Sequence, residues 1–157
     1  MTDPAQRSLQ ERYTPGLACF GCGPANERGL GLRSFERGDE LWAEWRPQRH
    51  HEAFPGILSG GIICALLDCH STWAAMHHLM RASGADRPPA TVTSDLAVKM
   101  LRPTPTDAPI ELTARGVAAA GPRAVVEATL AAGGRPCATS RGSFVAVRPG
   151  HPAHRSW

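Results

Sequence analysis

The stretch from residue 61 to about residue 81 is the part of the chain that most constrains its fold. It contains no proline and no internal glycine, and its length of about twenty residues suits a helix far better than a strand. The run IICALL directly after Gly61 is apolar on every side, so the first turns should be buried on all faces. Ser83 and Gly84 are typical of a helix end. The sequence therefore predicts one long helix that passes through the core.

Strand-like segments lie on both sides of this helix. Residues 30–35 and 40–45 suit strands, and Arg37-Gly38-Asp39 between them has turn chemistry, which predicts a hairpin. After the helix, residues 90–101 alternate in polarity, and further strands are expected at 110–117, 123–130 and 137–147. The alternation places one set of side chains of the first of these strands on a common face: Val92, Ser94, Leu96, Val98 and Met100. This order predicts the α+β class, with one antiparallel sheet wrapped around the helix.

Size and composition predict a single domain. The chain has 157 residues, of which 42% are hydrophobic and 20% are charged, as in an ordinary globular protein. We expect residues 1–157 to form one domain with its core at about 17–148. The segments 1–16 and 149–157 lack periodicity, and we expect them to form peripheral tails outside the core.

Charge and apolar content exclude several classes of partner. The net charge of +3 is spread along the chain and includes a single lysine, Lys99, which is not the footprint of a nucleic-acid-binding protein. No uncharged apolar segment reaches the roughly 18 residues that cross a bilayer, so no membrane partner is expected. The beginning of the chain lacks the apolar centre of a signal peptide. We therefore expect a cytoplasmic protein.

The five cysteines do not predict a disulfide framework. Their number is odd, and we expect them to be reduced. Cys19 and Cys22 form a CxxC motif, but a structural zinc site needs four ligands and the chain has no second CxxC. The expectation is that no metal is bound and that these small side chains pack against the sheet.

Gly60 and Gly61 stand where the predicted helix begins. The first backbone N–H groups of a helix have no partner within the helix, and glycine lets a ligand approach them closely. Together with the helix dipole, they could polarise a carbonyl group or hold an oxyanion. A tight turn that needs two glycines explains the same residues equally well.

Asp68 is the sharper signal for chemistry. An ionised carboxylate that follows IICALL on a buried helix costs several kcal/mol unless it is paired or used. Desolvation should raise its pKa, which suits a general base or a nucleophile. The structural alternative is a carboxylate that accepts hydrogen bonds from Ser71, Thr72 or a loop N–H.

The helical spacing argues against one subunit holding the whole site. Gly61 and Asp68 are seven residues apart, so they share a helix face but are separated by about 10 Å along the axis. Two helices packed antiparallel across a two-fold axis would bring the glycines of one subunit to Asp68 of the other. We therefore predict a dimer with composite sites.

Four blocks of sequence carry a resemblance to a known family. These are CFGCG at 19–23, Asn26 with GLGL at 29–32, HEAFPGILSGGIICALLD at 51–68, and TVTSDLAVKMLRPTP at 91–105. In order and spacing they resemble the hotdog-fold thioesterases of the PaaI-like group. The resemblance implies a curved antiparallel sheet of five to six strands around one helix, in a homodimer or a homotetramer built as a dimer of dimers. It also implies hydrolysis of acyl-CoA thioesters without a metal, the only coenzyme being the coenzyme A of the substrate.

The resemblance also implies roles for individual residues. Asp68 matches the family's catalytic carboxylate, Gly60 its oxyanion donor, and Thr93 a hydroxyl that helps to place the attacking water. Many members read HGG where this chain reads Ser59-Gly60-Gly61, and an amide that many members carry before the FPG turn is replaced by Glu52 or Ala53.

Further residues are expected to contact the substrate, an acyl-CoA with a small or medium acyl or aryl group. They are Ser59, Gly61, His51, Phe54, Thr72 and Ser94. One arginine among Arg102, Arg135 and Arg141 is a candidate partner for a phosphate of coenzyme A. His70, about 200° around the helix from Asp68, is expected to satisfy a buried hydrogen bond instead.

Two other functions are also compatible with the sequence. A hotdog hydratase or dehydratase would pair a histidine such as His51 with an acid. A non-catalytic acyl-thioester-binding protein would explain the loss of the histidine before Gly60.

Overall fold

The computed structural model describes residues 6–157. Two α-helices and eight β-strands form the domain, with two 3₁₀ helices at Arg49–His51 and Pro152–Ser156. The elements in chain order are α1 (Leu9–Tyr13), β1 (Phe35–Arg37), β2 (Glu40–Trp45), β3 (Glu52–Phe54), β4 (Ile57–Leu58), α2 (Gly60–Ser83), β5 (Thr91–Met100), β6 (Ile110–Ala120), β7 (Arg123–Ala132) and β8 (Arg135–Ala146).

One six-stranded antiparallel sheet covers the long helix. Its strand order is β1-β2-β6-β7-β8-β5, and β3 pairs with β4 in a separate small hairpin that leads into α2. Helix α2 contacts five of the six strands, from β2 at one side to β5 at the other. The predicted α+β class and the antiparallel sheet around one helix are confirmed.

Helix α2 begins and ends for local reasons. Ser59 has the extended backbone of an N-cap residue, although its side chain makes no capping hydrogen bond. Gly84 ends the helix with φ of 69°, a left-handed conformation that glycine adopts without strain. The predicted helix over residues 61–81 is therefore confirmed. Neither α2 nor any other helix among residues 6–157 is apolar over a stretch long enough to span a bilayer.

The first predicted strand is wrong for most of its length. Residues 30–34 are not a strand, and β1 begins only at Phe35. The segment instead follows the CxxC loop: the N–H of Leu30 donates to the Phe20 carbonyl at 2.7 Å, and the N–H of Leu32 donates to the Gly21 carbonyl at 3.0 Å. The backbone groups that a strand would pair with a neighbouring strand are thus used by the loop.

Helix α1 is part of the core, so the expectation of a peripheral tail is wrong for this part of residues 1–16. Leu9 and Tyr13 of α1 are buried. Residues 1–5 of the expected tail lie outside the described residues. No residue of 149–157 is buried, but Trp157 packs edge-on against Trp73 of α2 with ring centroids 5.7 Å apart. Burial of apolar side chains thus overrides the weak periodicity at α1.

A β-bulge interrupts the alternation expected in β5. Thr93 lies opposite Phe144 and Asp95 lies opposite Ser143, so Ser94 is the extra residue. As a result Thr93 before the bulge and Leu96 after it both face the helix side of the sheet. The bulge re-aims the Thr93 hydroxyl, which the simple alternation assigned to the other face.

His70 joins the helix to the sheet and to the N-terminal segment. Its Nε2–H donates to the Leu41 carbonyl at 3.1 Å, which leaves Nδ1 to accept from the Ser34 hydroxyl at 2.9 Å. The Ser34 hydroxyl and N–H in turn bond to the side-chain amide of Gln10. Burial lowers the pKa of His70 to about 4, against a weaker opposing effect of the Leu41 carbonyl. The neutral ring is fully satisfied, and the expected buried hydrogen bond of His70 is confirmed.

We expect His70→Leu to lower the free energy of unfolding by about 2 kcal/mol or more, because it leaves the Leu41 carbonyl and the Ser34 hydroxyl without their partner. Urea unfolding at fixed protein concentration measures the change. The matched control is His50→Leu at an exposed position, which should stay within about 0.5 kcal/mol of wild type. Equal effects of the two substitutions would contradict the proposed network.

Candidate active site

Asp68 lies at the centre of a small group of hydroxyl side chains. The Thr93 hydroxyl of β5 donates to its Oδ1 at 2.7 Å. The Thr72 hydroxyl, one helical turn further on, donates to the Asp68 carbonyl at 2.9 Å and lies 3.4 Å from the Thr93 hydroxyl. The structure therefore brings together three of the predicted site residues: Asp68, Thr72 and Thr93.

The surroundings of Asp68 increase its affinity for a proton. Burial raises the pKa of its carboxyl group, the Thr93 hydrogen bond acts in the opposite direction, and the neighbouring Cys19 raises it further. The structural alternative predicts bonds to the carboxylate from Ser71, Thr72 or a loop N–H. None of these groups donates to it among the described residues, where its donor is the Thr93 hydroxyl. The Thr72 hydroxyl bonds to the main chain, and the buried Ser71 hydroxyl has no partner there.

A cavity of about 270 Å³ opens beside Asp68. Its walls come from α2, from the beginning of β5, from the CxxC loop and from the C-terminal segment. Trp73 and Trp157 supply apolar lining, and Thr72 and Thr93 supply hydroxyl groups. An apolar cavity with a few convergent polar groups is the usual form of a small-molecule site.

Three cysteines share this cavity. The sulfur atoms of Cys19, Cys22 and Cys69 all lie within 4.8 Å of one another, and those of Cys19 and Cys69 are 3.8 Å apart. All three are free thiols. Hydrogen bonds from Cys22 and Cys69 lower the pKa of Cys19, whereas sharing a proton with Cys19 raises the pKa of Cys22. The protonation of each of these thiols therefore depends on the other two.

Glycines of the CFGCG motif make this cluster possible. A Cβ atom on Gly21 would overlap the sulfur of Cys69, and one on Gly23 would overlap the backbone at Cys19 and the Leu17 carbonyl. A Cβ atom on Gly29 would likewise overlap the Phe20 carbonyl oxygen. Close packing thus explains three of the four glycines in these two sequence blocks, and the fourth, Gly31, has a left-handed backbone with φ of 69°.

The helix start lies apart from Asp68 within one subunit. Gly60 and Gly61 are exposed, and they do not line the cavity at Asp68. No described backbone group accepts from the Gly60 N–H, so it is a free donor, as predicted. The described residues of one chain therefore do not place Ser59, Gly60 or Gly61 and the carboxylate around the same substrate atom.

The other predicted substrate contacts are also outside this cavity. His51 accepts from the Gln48 N–H at 2.9 Å and stacks on Trp45, and it bonds to no carboxylate among residues 6–157. Phe54 is 70% exposed in the β3–β4 hairpin, and Ser94 is the exposed residue of the bulge. Burial, followed by the charge of His50, lowers the pKa of His51.

The arginine candidates differ in position. Arg141 pairs with Glu127 in an open groove of about 700 Å³ on the sheet face that points away from α2. Arg102 follows β5 directly and donates to the Pro136 carbonyl. None of the three arginines lines the cavity at Asp68.

Sequence reasoning does not identify most of the cavity wall. It assigns Cys19 and Cys22 to packing and Trp157 to a peripheral tail, and it gives Cys69 no role. The available signal for Cys69 is its position directly after Asp68. Its proximity to the CxxC loop depends on a contact over fifty residues of chain, which no local pattern reveals.

Comparison with solved structures identifies the class of protein. The chain is similar to a thioesterase superfamily protein from Shewanella loihica PV-4, with 32% identity and a TM-score of 0.65 over 80% of this chain and 98% of that one. Zebrafish thioesterase superfamily member 2 shares the fold at 19% identity, with a TM-score of 0.64 over 78% and 90% of the two chains. The Escherichia coli PaaI protein from the phenylacetic acid degradation operon shares it at 16% identity, with a TM-score of 0.64 over 76% and 81%.

No protein-family model matches the chain, and no curated protein matches it. The identity and coverage of the Shewanella protein nevertheless show the family, and the strand order and the central helix agree with it. The chain belongs to the hotdog-fold thioesterase superfamily. The predicted resemblance and the predicted hotdog fold are confirmed.

We expect Gly21→Ala to destabilise the protein by about 1 to 3 kcal/mol, because the added methyl group meets the Cys69 sulfur in a packed site. Thermal and urea unfolding measure the loss. Gly16→Ala is the matched control, since a Cβ there has no heavy atom within 4 Å. A wild-type stability of Gly21→Ala would show that the loop does not hold the position described.

Proposed function

We propose that this protein hydrolyses acyl-CoA thioesters, with Asp68 as the catalytic carboxylate. The observation that carries the proposal is a partly buried carboxylate with a raised pKa, oriented by Thr93 in a cavity of a thioesterase-superfamily fold. General bases work best when their pKa is close to the working pH, and desolvation moves Asp68 in that direction.

The chemistry follows from the position of this carboxylate. Asp68 takes a proton from a water molecule as the water oxygen attacks the thioester carbonyl carbon. The carbonyl oxygen becomes an oxyanion, and the C–S bond then breaks to release the coenzyme A thiolate, which receives the proton. Direct attack by Asp68, with a later hydrolysis of the anhydride, uses the same groups. In both routes the Thr93 hydrogen bond holds the reacting carboxylate in one orientation.

The oxyanion needs a donor that one subunit does not supply near Asp68. The free N–H of Gly60 is such a donor, at the positive end of α2. We propose that the Gly60 N–H of one subunit and Asp68 of its partner form each site. Exposed apolar side chains around the helix start support contact with a partner subunit there. Phe54 lies in the preceding hairpin, Met100 lies against Gly60, and Leu101 follows Met100.

The proposed substrate carries a small or medium acyl or aryl group. The cavity of about 270 Å³ is just below the range of about 300–1,000 Å³ typical of ligand pockets, and Trp73 and Trp157 provide apolar contact. Arg102 is the arginine we favour for a phosphate of coenzyme A. It is two residues after Met100, whose side chain lies at the helix start beside Gly60, whereas Arg141 is paired with Glu127 on the outer sheet face.

We expect Asp68→Asn to reduce kcat by about 10²- to 10⁴-fold, because the amide cannot accept the proton of water. The assay follows thiol release by the purified protein over short, long and aromatic acyl-CoA thioesters. Asp86→Asn, an exposed loop position, is the control and should retain wild-type turnover.

Unchanged turnover in Asp68→Asn would exclude the assigned mechanism. Tight binding of acyl-CoA by the wild-type protein without any thiol release would favour the non-catalytic binder.

Gly60→Pro tests the oxyanion donor with little change to the helix. Proline is favoured at the first helical position, and the backbone of Ser59 (φ −60°, ψ 133°) suits a residue before proline. We expect a loss of about 10²- to 10³-fold in kcat, because the N–H is removed. Gly60→Ala keeps the N–H and adds only an ordinary 3.6 Å contact with Met100, so it should remain near wild type. Equal activity of the two variants would exclude Gly60 as the donor.

The same variants test whether the site is shared between subunits. In a mixed dimer of Gly60→Pro and Asp68→Asn, one site loses both groups and the other keeps both. Random pairing of equal amounts puts about half of the chains in mixed dimers, so about a quarter of the wild-type activity should return on co-expression. A site within one subunit would recover no activity.

A further inference from the structure

The mechanism proposed above leaves the three-cysteine cluster without a role. Cys19 and Cys22 come from the N-terminal loop and Cys69 from the middle of α2, so the cluster joins segments fifty residues apart. Cys22 is buried, and the other two thiols are partly buried. The remaining cysteines, Cys64 and Cys137, lie outside the cluster.

We propose that Cys19, Cys22 and Cys69 form a zinc site whose fourth coordination position opens into the cavity at Asp68. Binding removes the protons of the thiols and leaves three thiolates on one Zn²⁺. This proposal does not depend on the thioesterase activity.

The spacing of the sulfur atoms fits a tetrahedral metal. With Zn–S bonds of about 2.3 Å, sulfur ligands of a tetrahedral ion lie about 3.8 Å apart. The Cys19 and Cys69 sulfurs are 3.8 Å apart already, and no pair among the three exceeds 4.8 Å. Every pair is therefore within about 1 Å of the tetrahedral separation or closer.

The local backbone is built around the thiols. Gly21 has no side chain where the Cys69 sulfur lies, and Gly23 lets the chain fold back so that its N–H donates to the Cys19 carbonyl at 2.9 Å. Bonds from the N–H groups of Leu30 and Leu32 to the Phe20 and Gly21 carbonyls fix the shape of this loop. The position of the three sulfur atoms is therefore set by the backbone on both sides of the cluster.

The cavity supplies what a fourth position needs. All three cysteines line it, so a water molecule can reach an ion held between them. The indole N–H of Trp73 is buried beside Cys22 and has no hydrogen-bond partner among residues 6–157. A metal-bound thiolate accepts such a donor more strongly than a neutral thiol does.

Zinc fits this donor set better than the other metals that prefer thiolates. Copper(I) takes soft ligands and gains little from an oxygen ligand, whereas zinc accepts thiolates together with water or carboxylate. Iron–sulfur clusters require four protein ligands in most cases, and the described residues offer three thiols here. The sequence prediction of no metal counts only the two cysteines of the CxxC motif. Cys69 adds a third thiol ligand.

The test uses the full chain, expressed without a histidine tag in zinc-supplemented medium and purified without chelator. Elemental mass spectrometry should find about one zinc per chain in the wild type. Cys22→Ser and Cys69→Ser should each lower zinc occupancy at least tenfold. Cys64→Ser, on the same helix but outside the cluster, is the matched control and should keep the wild-type content.

A second measurement distinguishes loss of metal binding from misfolding of a variant. After metal removal, Co²⁺ added to the wild type and to Cys64→Ser should produce the thiolate-to-metal absorption and the ligand-field bands of a tetrahedral site. Zn²⁺ should abolish both signals and raise the Tm of the metal-free protein.

Several results would overturn the proposal. They are a wild type with less than about a tenth of a zinc per chain, stoichiometric copper or iron in place of zinc, and full zinc retention in both serine variants. A Cys19–Cys22 disulfide in freshly isolated, metal-free protein would also overturn it, and would show a redox pair instead.

Discussion

Three consecutive polar residues in the middle of a buried helix are the constraint on which the rest of this structure depends. Asp68, Cys69 and His70 each point about 100° apart around α2, so no single neighbour can serve them all. Strand β5 supplies Thr93 for the carboxylate, the CxxC loop surrounds the thiol, and β2 with the N-terminal segment satisfies the imidazole. The sheet, the loop and α1 are therefore all positioned by one turn of helix.

This arrangement explains how an ordinary scaffold acquires a reactive group. A long helix covered by a curved sheet excludes water from its middle, and exclusion of water raises the pKa of Asp68. The β-bulge at Ser94 then aims the Thr93 hydroxyl at the carboxylate instead of away from it. The N–H groups of the first helical turn have no partner within the helix. Those of Gly60 and Gly61 belong to exposed residues. In the proposed dimer, the helix start of one subunit meets Asp68 of its partner across the two-fold axis.

The N-terminal third of the chain has a larger part than its irregular structure suggests. Its loop closes one wall of the cavity with Cys19 and Cys22, and its backbone is secured by Leu30 and Leu32. Trp157 from the opposite end of the chain closes another wall against Trp73. The loop has no helix or strand and the C-terminal segment has only a short 3₁₀ helix, yet both shape the space beside Asp68.

The sequence by itself determined the elements whose signal is local. The proline-free apolar run predicted α2, Gly84 marked its end, and a carboxylate after IICALL identified Asp68 as the residue to explain. Helical spacing alone separated Gly61 from Asp68. Tertiary structure decided the rest: the bulge that turns Thr93, the burial of Leu9, the packing of Trp157 on Trp73, and the contact of Cys69 with the CxxC loop. These features arise from contacts between residues far apart in the chain, and such contacts form only when the core packs.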